Sequence, residues 1–244
     1  MQQAYRVLRI VAEAQTIRIV LMLRPSELML NELFSACSAL RTENSMGTGG
    51  IKAVVLDFKA VYESKPDHVT IAPEVIEQAT AAVRAIEAPV LAVVRGSISA
   101  EASALLQVAD LILAAGDAVL PVGSMGDENN DALTGAQALQ LGYVTWSVPA
   151  NAIDAEMTRI LDMLREKSAV ALRLTKASTR IGALATRGDV GMVGMVGMVG
   201  MAEARLEALK QVNEFYLTKV MSTADATEGL RAFLEKRKPQ WKNV

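Results

Sequence analysis

Three short runs of apolar residues constrain this chain more than any other feature in it. Ile51–Phe58 reads IKAVVLDF, Pro89–Val94 reads PVLAVV, and Asp110–Ala114 reads DLILA. Helical stretches separate them, Glu74–Ile86 after the first and Ala100–Val108 after the second. A strand with one face in water alternates apolar and polar residues, whereas a strand covered on both faces does not. Strand, helix, strand, helix, strand therefore calls for parallel strands joined by right-handed helical crossovers, an α/β arrangement with a buried sheet.

Upstream, Tyr5–Ala12 and Thr16–Leu23 mix Val, Ile and Leu with polar residues around Glu13-Ala14-Gln15, which predicts a β-hairpin. Pro25 stops the second strand, and Ser26 is placed to cap a helix over Glu27–Leu40. Leu28, Leu30, Leu33, Phe34, Cys37 and Leu40 recur at helical spacing along it, and Asn44–Gly50 is a loop on composition. Downstream, Pro121–Asp131 turns polar and irregular. Helix Gly135–Leu141 should stop at Gly142, before a short strand over Tyr143–Val148. Asp154–Lys167 and Ala169–Ile181 read as amphipathic helices, and Ala202–Tyr216 is strongly helical.

Between these last helices, Gly191–Met201 repeats Gly-Met-Val with a period of three. Glycine at that frequency weakens a helix by up to ~1 kcal/mol each, which favours a plain connection. A Met-rich surface over a partner or ligand is the alternative. The expected organisation is one structural domain, a core over residues 1–167 with a C-terminal helical region over 168–244.

Composition excludes several functions. The net charge of -2 supplies no general attraction to nucleic acid or to anionic membranes. No apolar run approaches the roughly 20 residues that a membrane-spanning helix needs. Arg6, Arg9, Glu13 and Arg18 interrupt any signal-like core at the N-terminus, so a cytoplasmic protein is expected. His68 is the sole histidine and Cys37 the sole cysteine, which leaves no multi-histidine metal site and no internal disulfide. No metal is expected, and Cys37 reads as a small buried apolar residue. A dinucleotide-binding fold would need G-x-G-x-x-G after its first strand, but Ile51–Phe58 runs on into KAVYESKPD. A serine hydrolase is no better served, because Ser97, Ser99 and Ser103 have only His68 as a possible base.

Five separated blocks, in order, resemble the enoyl-CoA hydratase/isomerase (crotonase) superfamily. They are TIRIVLMLRP at 16–25, IKAVVLDF at 51–58, APVLAVVRGSISAEASALLQVADLILAA at 88–115, LTGAQALQLGYVTWSVP at 133–149 and ATEGLRAFLEKRKPQWK at 226–242. The resemblance spans nearly the whole chain. It implies a crotonase-like ββα spiral core with a C-terminal helical region, assembled as a homotrimer or dimer of trimers. It also implies an acyl-CoA or acyl-carrier-protein thioester as partner, with coenzyme A as part of the substrate rather than a cofactor. The family's chemistry holds the thioester oxygen with two backbone N–H groups as it becomes enolate-like. Donors fixed in a water-poor site stabilise charge where it develops.

By that resemblance Ser64 supplies the first donor, with Lys65 where the family has glycine. The second donor falls on the backbone of Glu101, in Ala100-Glu101-Ala102 where the family has three glycines. Ala104 replaces the hydratase's first catalytic glutamate and has no proton to give. Asp127 and Glu128 are the acids nearest the second, in a segment much shorter than the family's. Standard hydration is therefore not expected. Two readings stay open: an enzyme needing chiefly enolate stabilisation, with Glu101, Asp127 or Glu128 moving the proton, or a non-catalytic binding or structural subunit. Lys236 matches a position that meets the coenzyme A phosphates, and Asp110 is expected to be structural.

Overall fold

The computed structural model describes residues 5–45, 50–59, 71–122, 131–187 and 206–243. The chain forms two compact units, Met1–Glu166 and Lys167–Val244.

The first unit is built on a six-stranded sheet in the order β1-β2-β3-β4-β5-β8. Strand β1 (Arg9–Glu13) pairs antiparallel with β2 (Thr16–Met22). The remaining partners, β3 (Ala53–Lys59), β4 (Val90–Val94), β5 (Leu111–Ala115) and β8 (Trp146–Val148), are all parallel. Every residue of β4 and all but the last of β3 are buried, as the unbroken apolar runs require. Each fully buried Leu, Ile or Val there contributes about 2 kcal/mol of burial. Asp110 aligns the starts of two strands: its N–H donates to Val90 O at 3.0 Å, and Val90 N–H donates to its Oδ2 at 2.7 Å.

The hairpin turn is tighter than the sequence suggests. Glu13 still pairs with Thr16, so only Ala14 and Gln15 make the turn, at φ 38° and 64°. Both are left-handed, the combination a two-residue hairpin needs and one that Asn-Gly adopts most readily. Lys52 N–H and Arg165 Nε pin the turn by donating to the carbonyls of Gln15 and Ala14. The first strand starts at Arg9 rather than Tyr5. The N–H groups of Arg6, Val7 and Leu8 instead donate to the Glu32 carboxylate at 2.7 to 3.1 Å. Burial opposes that charge, but the three amides outweigh it and hold the carboxyl below its usual range.

Glu32 lies on α1 (Glu27–Ser45), which runs beyond Leu40. Ser26 caps it, its Oγ accepting from Met29 N–H at 3.2 Å. The buried stripe is Met29, Leu30, Leu33, Ala36, Cys37 and Leu40, while Leu28 and Phe34 face solvent. Burial pushes the Cys37 thiol up to about 12. Helix α2 (Pro73–Arg84) opens with proline in its first turn, and α3 (Ala100–Leu106) is two residues shorter than expected. The stretch read as irregular from Pro121 contains a second sheet: β6 (Val119–Val122) pairs antiparallel with β7 (Asp131–Thr134). Pro121 fits because a two-stranded ribbon consists of edge strands. Helix α4 (Gly135–Gln140) begins with a Thr134–Gln137 capping box and is followed by Gly142 at φ +78°. A Cβ on Gly135 would lie 2.1 Å from Ala115 O, so only glycine fits where α4 meets β5. Strand β8 keeps three of the six expected residues, and a 3₁₀ turn (Ala150–Ala152) leads into α5 (Ile153–Arg165).

The second unit contains α6 (Ala169–Arg187), α7 (206–215), a π-helical turn (Tyr216–Val220) and α8 (Ala224–Leu234). The Gly191–Met201 repeat lies outside the described residues. Buried Asp225 ties this unit together. It accepts from the Ser168 hydroxyl and from the N–H groups of Lys242 and Asn243, the latter two at 2.7 and 3.0 Å. Asn243 Oδ1 in turn accepts from Ala169 N–H at 2.8 Å. Trp241 rests on Gly229, where an added Cβ would come within 3.5 Å of its ring. The Arg237 guanidinium takes both oxygens of Glu228, which also accepts from Gln240 N–H.

Two measurements check this account. Replacing Ala14-Gln15 with Asn-Gly should stabilise the protein by about 1 kcal/mol, because it removes the steric cost of two left-handed residues. An unchanged or lower urea midpoint would contradict the turn geometry. In the second unit, Arg237 and Gln240 N–H lower the Glu228 carboxyl from 4.5 to about 2. A depressed carboxylate stabilises the fold above its unfolded pKa and loses that contribution as pH falls through the folded value. Glu228→Gln should therefore flatten the stability profile between about pH 4.5 and 2; a profile parallel to the wild type would refute the pairing.

Candidate functional site

The chain leaves β4 at Val94 and reaches α3 through Arg95–Ser99. Two amides anchor that turn: Ile98 N–H donates to Val119 O and Ser99 N–H to Leu23 O, both at 3.1 Å. Ser99 then caps α3, its Oγ accepting from Ala102 N–H at 3.4 Å while its carbonyl accepts from Ser103 N–H at 2.9 Å. Ser103 Oγ fixes the helix to β6 by donating to Pro121 O at 2.9 Å. The N–H groups of Ala100 and Glu101 make no hydrogen bond among the described residues. They are the unpaired donors that every helix start leaves. Ser99 sits at φ −80° and ψ 170°, ordinary extended backbone that requires no glycine.

Glu101 is in the first turn of α3 and half-buried, and Ala104 one turn on is half-buried too. Ser64, Asp127 and Glu128 lie outside the described residues, as does His68. Lys236 belongs to the second unit, where it ends α8. Its N–H donates to Phe233 O and that of Arg237 to Ala232 O, the paired bonds of a Schellman motif. Lys236 occupies the left-handed position of that motif, at φ 52°, where glycine is usual. Its local role is thus to stop a helix at a position unfavourable for its own side chain.

The sequence reading missed a charged row beneath α5. Asp57 is fully buried in the central strand β3. Arg18 on β2 donates to its Oδ2 through Nε, at 2.8 Å, and through Nη2. Arg95 donates to Oδ1 at 2.8 Å and, through Nη2, to Asp154 Oδ1 on α5 at 2.6 Å. Lys59 stands 3.6 Å from Asp57. Register explains the meeting: Val20, Asp57 and Val93 lie side by side, and Arg18 and Arg95 are each two residues away along their own chains. A spacing of two keeps side chains on one sheet face. Burial disfavours charge on Arg95, but its hydrogen bonds to Asp154 and Asp57 outweigh this and raise its pKa. The same bond from Arg95 holds Asp154 below the usual carboxylate range. The signal was present as single charges in or beside apolar strands.

A cleft of about 770 Å³ opens at the other end of α3, between Ser103, Leu106, Ile112, Leu120, Tyr143 and Val144. Three of its polar side chains bond within the fold: Ser103 to Pro121, Asp110 to Val90, and Thr145 Oγ1 to Ile112 N–H. Among the described residues no group of three or more His, Cys, Asp or Glu side chains could hold a metal ion. None of the described helices is long and apolar enough to cross a membrane.

Truncating Asp57 should expose how much of this arrangement depends on it. Asp57→Ala leaves Arg18 and Arg95 partly buried without their shared carboxylate, a change that costs about 3 kcal/mol when a buried pair is broken. A loss under about 1 kcal/mol in urea unfolding would show that both guanidiniums relax into water.

No family model and no curated protein sequence matches this chain. Solved structures do. An enoyl-CoA hydratase from Mycobacterium smegmatis is 20% identical at TM-score 0.70, over 97% of this chain and 99% of that one. An enoyl-CoA hydratase from Bacillus anthracis is 18% identical at TM-score 0.71, over 98% and 100%. Human enoyl coenzyme A hydratase domain-containing protein 3 is 18% identical at TM-score 0.72, over 97% and 100%. Matched over nearly the whole of both chains, this protein has the crotonase fold, the fold of the enoyl-CoA hydratase/isomerase superfamily.

Proposed function

We propose that this protein is a divergent enoyl-CoA hydratase/isomerase-like chain that binds an acyl thioester, carried by coenzyme A or an acyl-carrier protein. The observation that carries the reading is the turn into α3, where the Ala100 and Glu101 amides have no hydrogen-bond partner among the described residues. A thioester carbonyl oxygen placed there would gain two donors and the positive end of a helix. By the family resemblance, Ser64 would supply the other donor of the oxyanion hole.

Ala104, in place of an acid, argues against ordinary hydration, since losing a general acid–base group typically lowers a rate by 10²–10⁴-fold. The enzymatic form of the reading is enolate stabilisation in decarboxylation, isomerisation or thioester hydrolysis. Glu101, Asp127 or Glu128 would then transfer the proton. One observation favours the second form, binding without turnover: Glu101 places a carboxyl in the first turn of α3, where its charge would oppose a developing enolate. Lys236 would contribute a point charge to the coenzyme A diphosphate. Assembly as a homotrimer or dimer of trimers belongs to the same proposal. Phe233 and Leu234, 81% and 79% exposed, are side chains that such an assembly would cover.

Calorimetric titration with coenzyme A and short acyl-CoAs tests the reading. Acyl-CoA should bind at micromolar concentration, on the order of −8 kcal/mol, while crotonyl-CoA hydration stays negligible. Lys236→Gly removes the charge and relieves the left-handed position together. It should weaken binding roughly fivefold, the scale of an exposed ion pair, without lowering the melting temperature. Absence of binding to every acyl-CoA and acyl-carrier thioester would reject the proposal, and a hydration rate like that of an ordinary hydratase would reject the view of Ala104.

A further inference from the structure

A separate cavity of about 270 Å³ lies between the charged face of β2 and α5, with Thr16, Arg18 and Arg165 on its walls. Thr16 and Arg18 are two residues apart and share the sheet face that α5 covers. Thr16 is only 4% exposed, and its Oγ1 is the one buried side-chain polar atom without a hydrogen-bond partner among the described residues. Leaving such an atom buried without a partner is costly unless something fills the site and bonds to it.

The two arginines supply the complementary groups. Arg18 uses Nε and Nη2 on Asp57, which leaves Nη1 without a hydrogen-bond partner among the described residues. Arg165 uses Nε on Ala14 O and Nη1 on Asp162, which leaves Nη2. Beside the cavity, Arg18, Lys59 and Arg95 gather around Asp57, and Arg95 also reaches Asp154. Glu13 and Asp154 also line the cavity, but both are exposed, Asp154 with 70% of its side chain in solvent. Their charges are screened, whereas Arg18 and Arg165 expose only 22% and 24%.

We propose that this cavity is a binding site for a small oxyanion, a carboxylate or phosphate group, held by the free guanidinium nitrogens of Arg18 and Arg165 with the Thr16 hydroxyl. The site is distinct from the turn into α3 and does not depend on a thioester binding there.

Calorimetric titration of the full chain with inorganic phosphate and with acetate, in chloride at matched ionic strength, tests the site. One of the two should bind, and the stronger identifies the group recognised. Thr16→Val keeps the shape and removes the hydroxyl. It should weaken that binding at least fivefold while leaving the ligand-free melting temperature unchanged or raised. Arg165→Gln, which retains a hydrogen-bonding side chain at the end of α5, should weaken it similarly and serves if the valine variant fails to fold. Absence of binding by both anions, or equal affinity in wild type and variants, would overturn the proposal.

Discussion

A carboxylate with no solvent exposure in the central strand of a parallel sheet dictates much of what surrounds it. Unpaired, an ionised Asp57 would be prohibitively costly, so its partners must arrive in fixed geometry. Arg18 comes from β2, Lys59 from the end of β3 and Arg95 from the exit of β4, and Arg95 then reaches Asp154 at the start of α5. One buried charge thus ties three neighbouring chain segments and a covering helix to a common register. The exit of β4 is also the entry to the turn before α3, so the candidate site inherits its position from this network.

The turn into α3 is held by bonds that require no glycine. The anchors are main-chain bonds, Ile98 to Val119 and Ser99 to Leu23, and a side-chain cap from Ser99. None of these needs a residue without a Cβ, because Ser99 sits in extended backbone. Around those amides, Glu101 places a carboxyl in the first turn of α3, and Ala104 has no group that can carry a proton.

The second unit follows the same logic with a different acid. Asp225 is buried at the start of α8 and collects a hydroxyl and two amides, which fastens the last residues of the chain to the starts of α6 and α8. Amides and hydroxyls are milder partners than guanidiniums, yet three of them satisfy a carboxylate without a counter-charge. Lys236 ends α8 in a left-handed conformation that its side chain disfavours, an arrangement that persists because two Schellman bonds and the Glu228–Arg237 pair flank it.

The parallel strands and the helices between them were legible in the sequence, because uninterrupted apolar runs have few other uses. Asp110 was read as structural from its place before a strand, and the geometry bears that out. The hairpin was legible but its two-residue turn was not, since Ala14-Gln15 has no turn signature, and the β6–β7 ribbon was hidden by the polar, irregular composition after Pro121. The spacing along α1 identified Leu30, Leu33, Cys37 and Leu40 as inward, but not that Leu28 and Phe34 face solvent, which is set by what α1 packs against. The row of Arg18, Asp57 and Arg95 depends on register between strands up to 77 residues apart in the chain, from 18 to 95, and the cavity beside it on where α5 crosses that row. Local sequence determined which segments become strands and helices, because burial periodicity and capping act over a few residues. Tertiary structure alone decided which charges meet, because hydrogen-bond geometry across a sheet is fixed only when its strands are aligned.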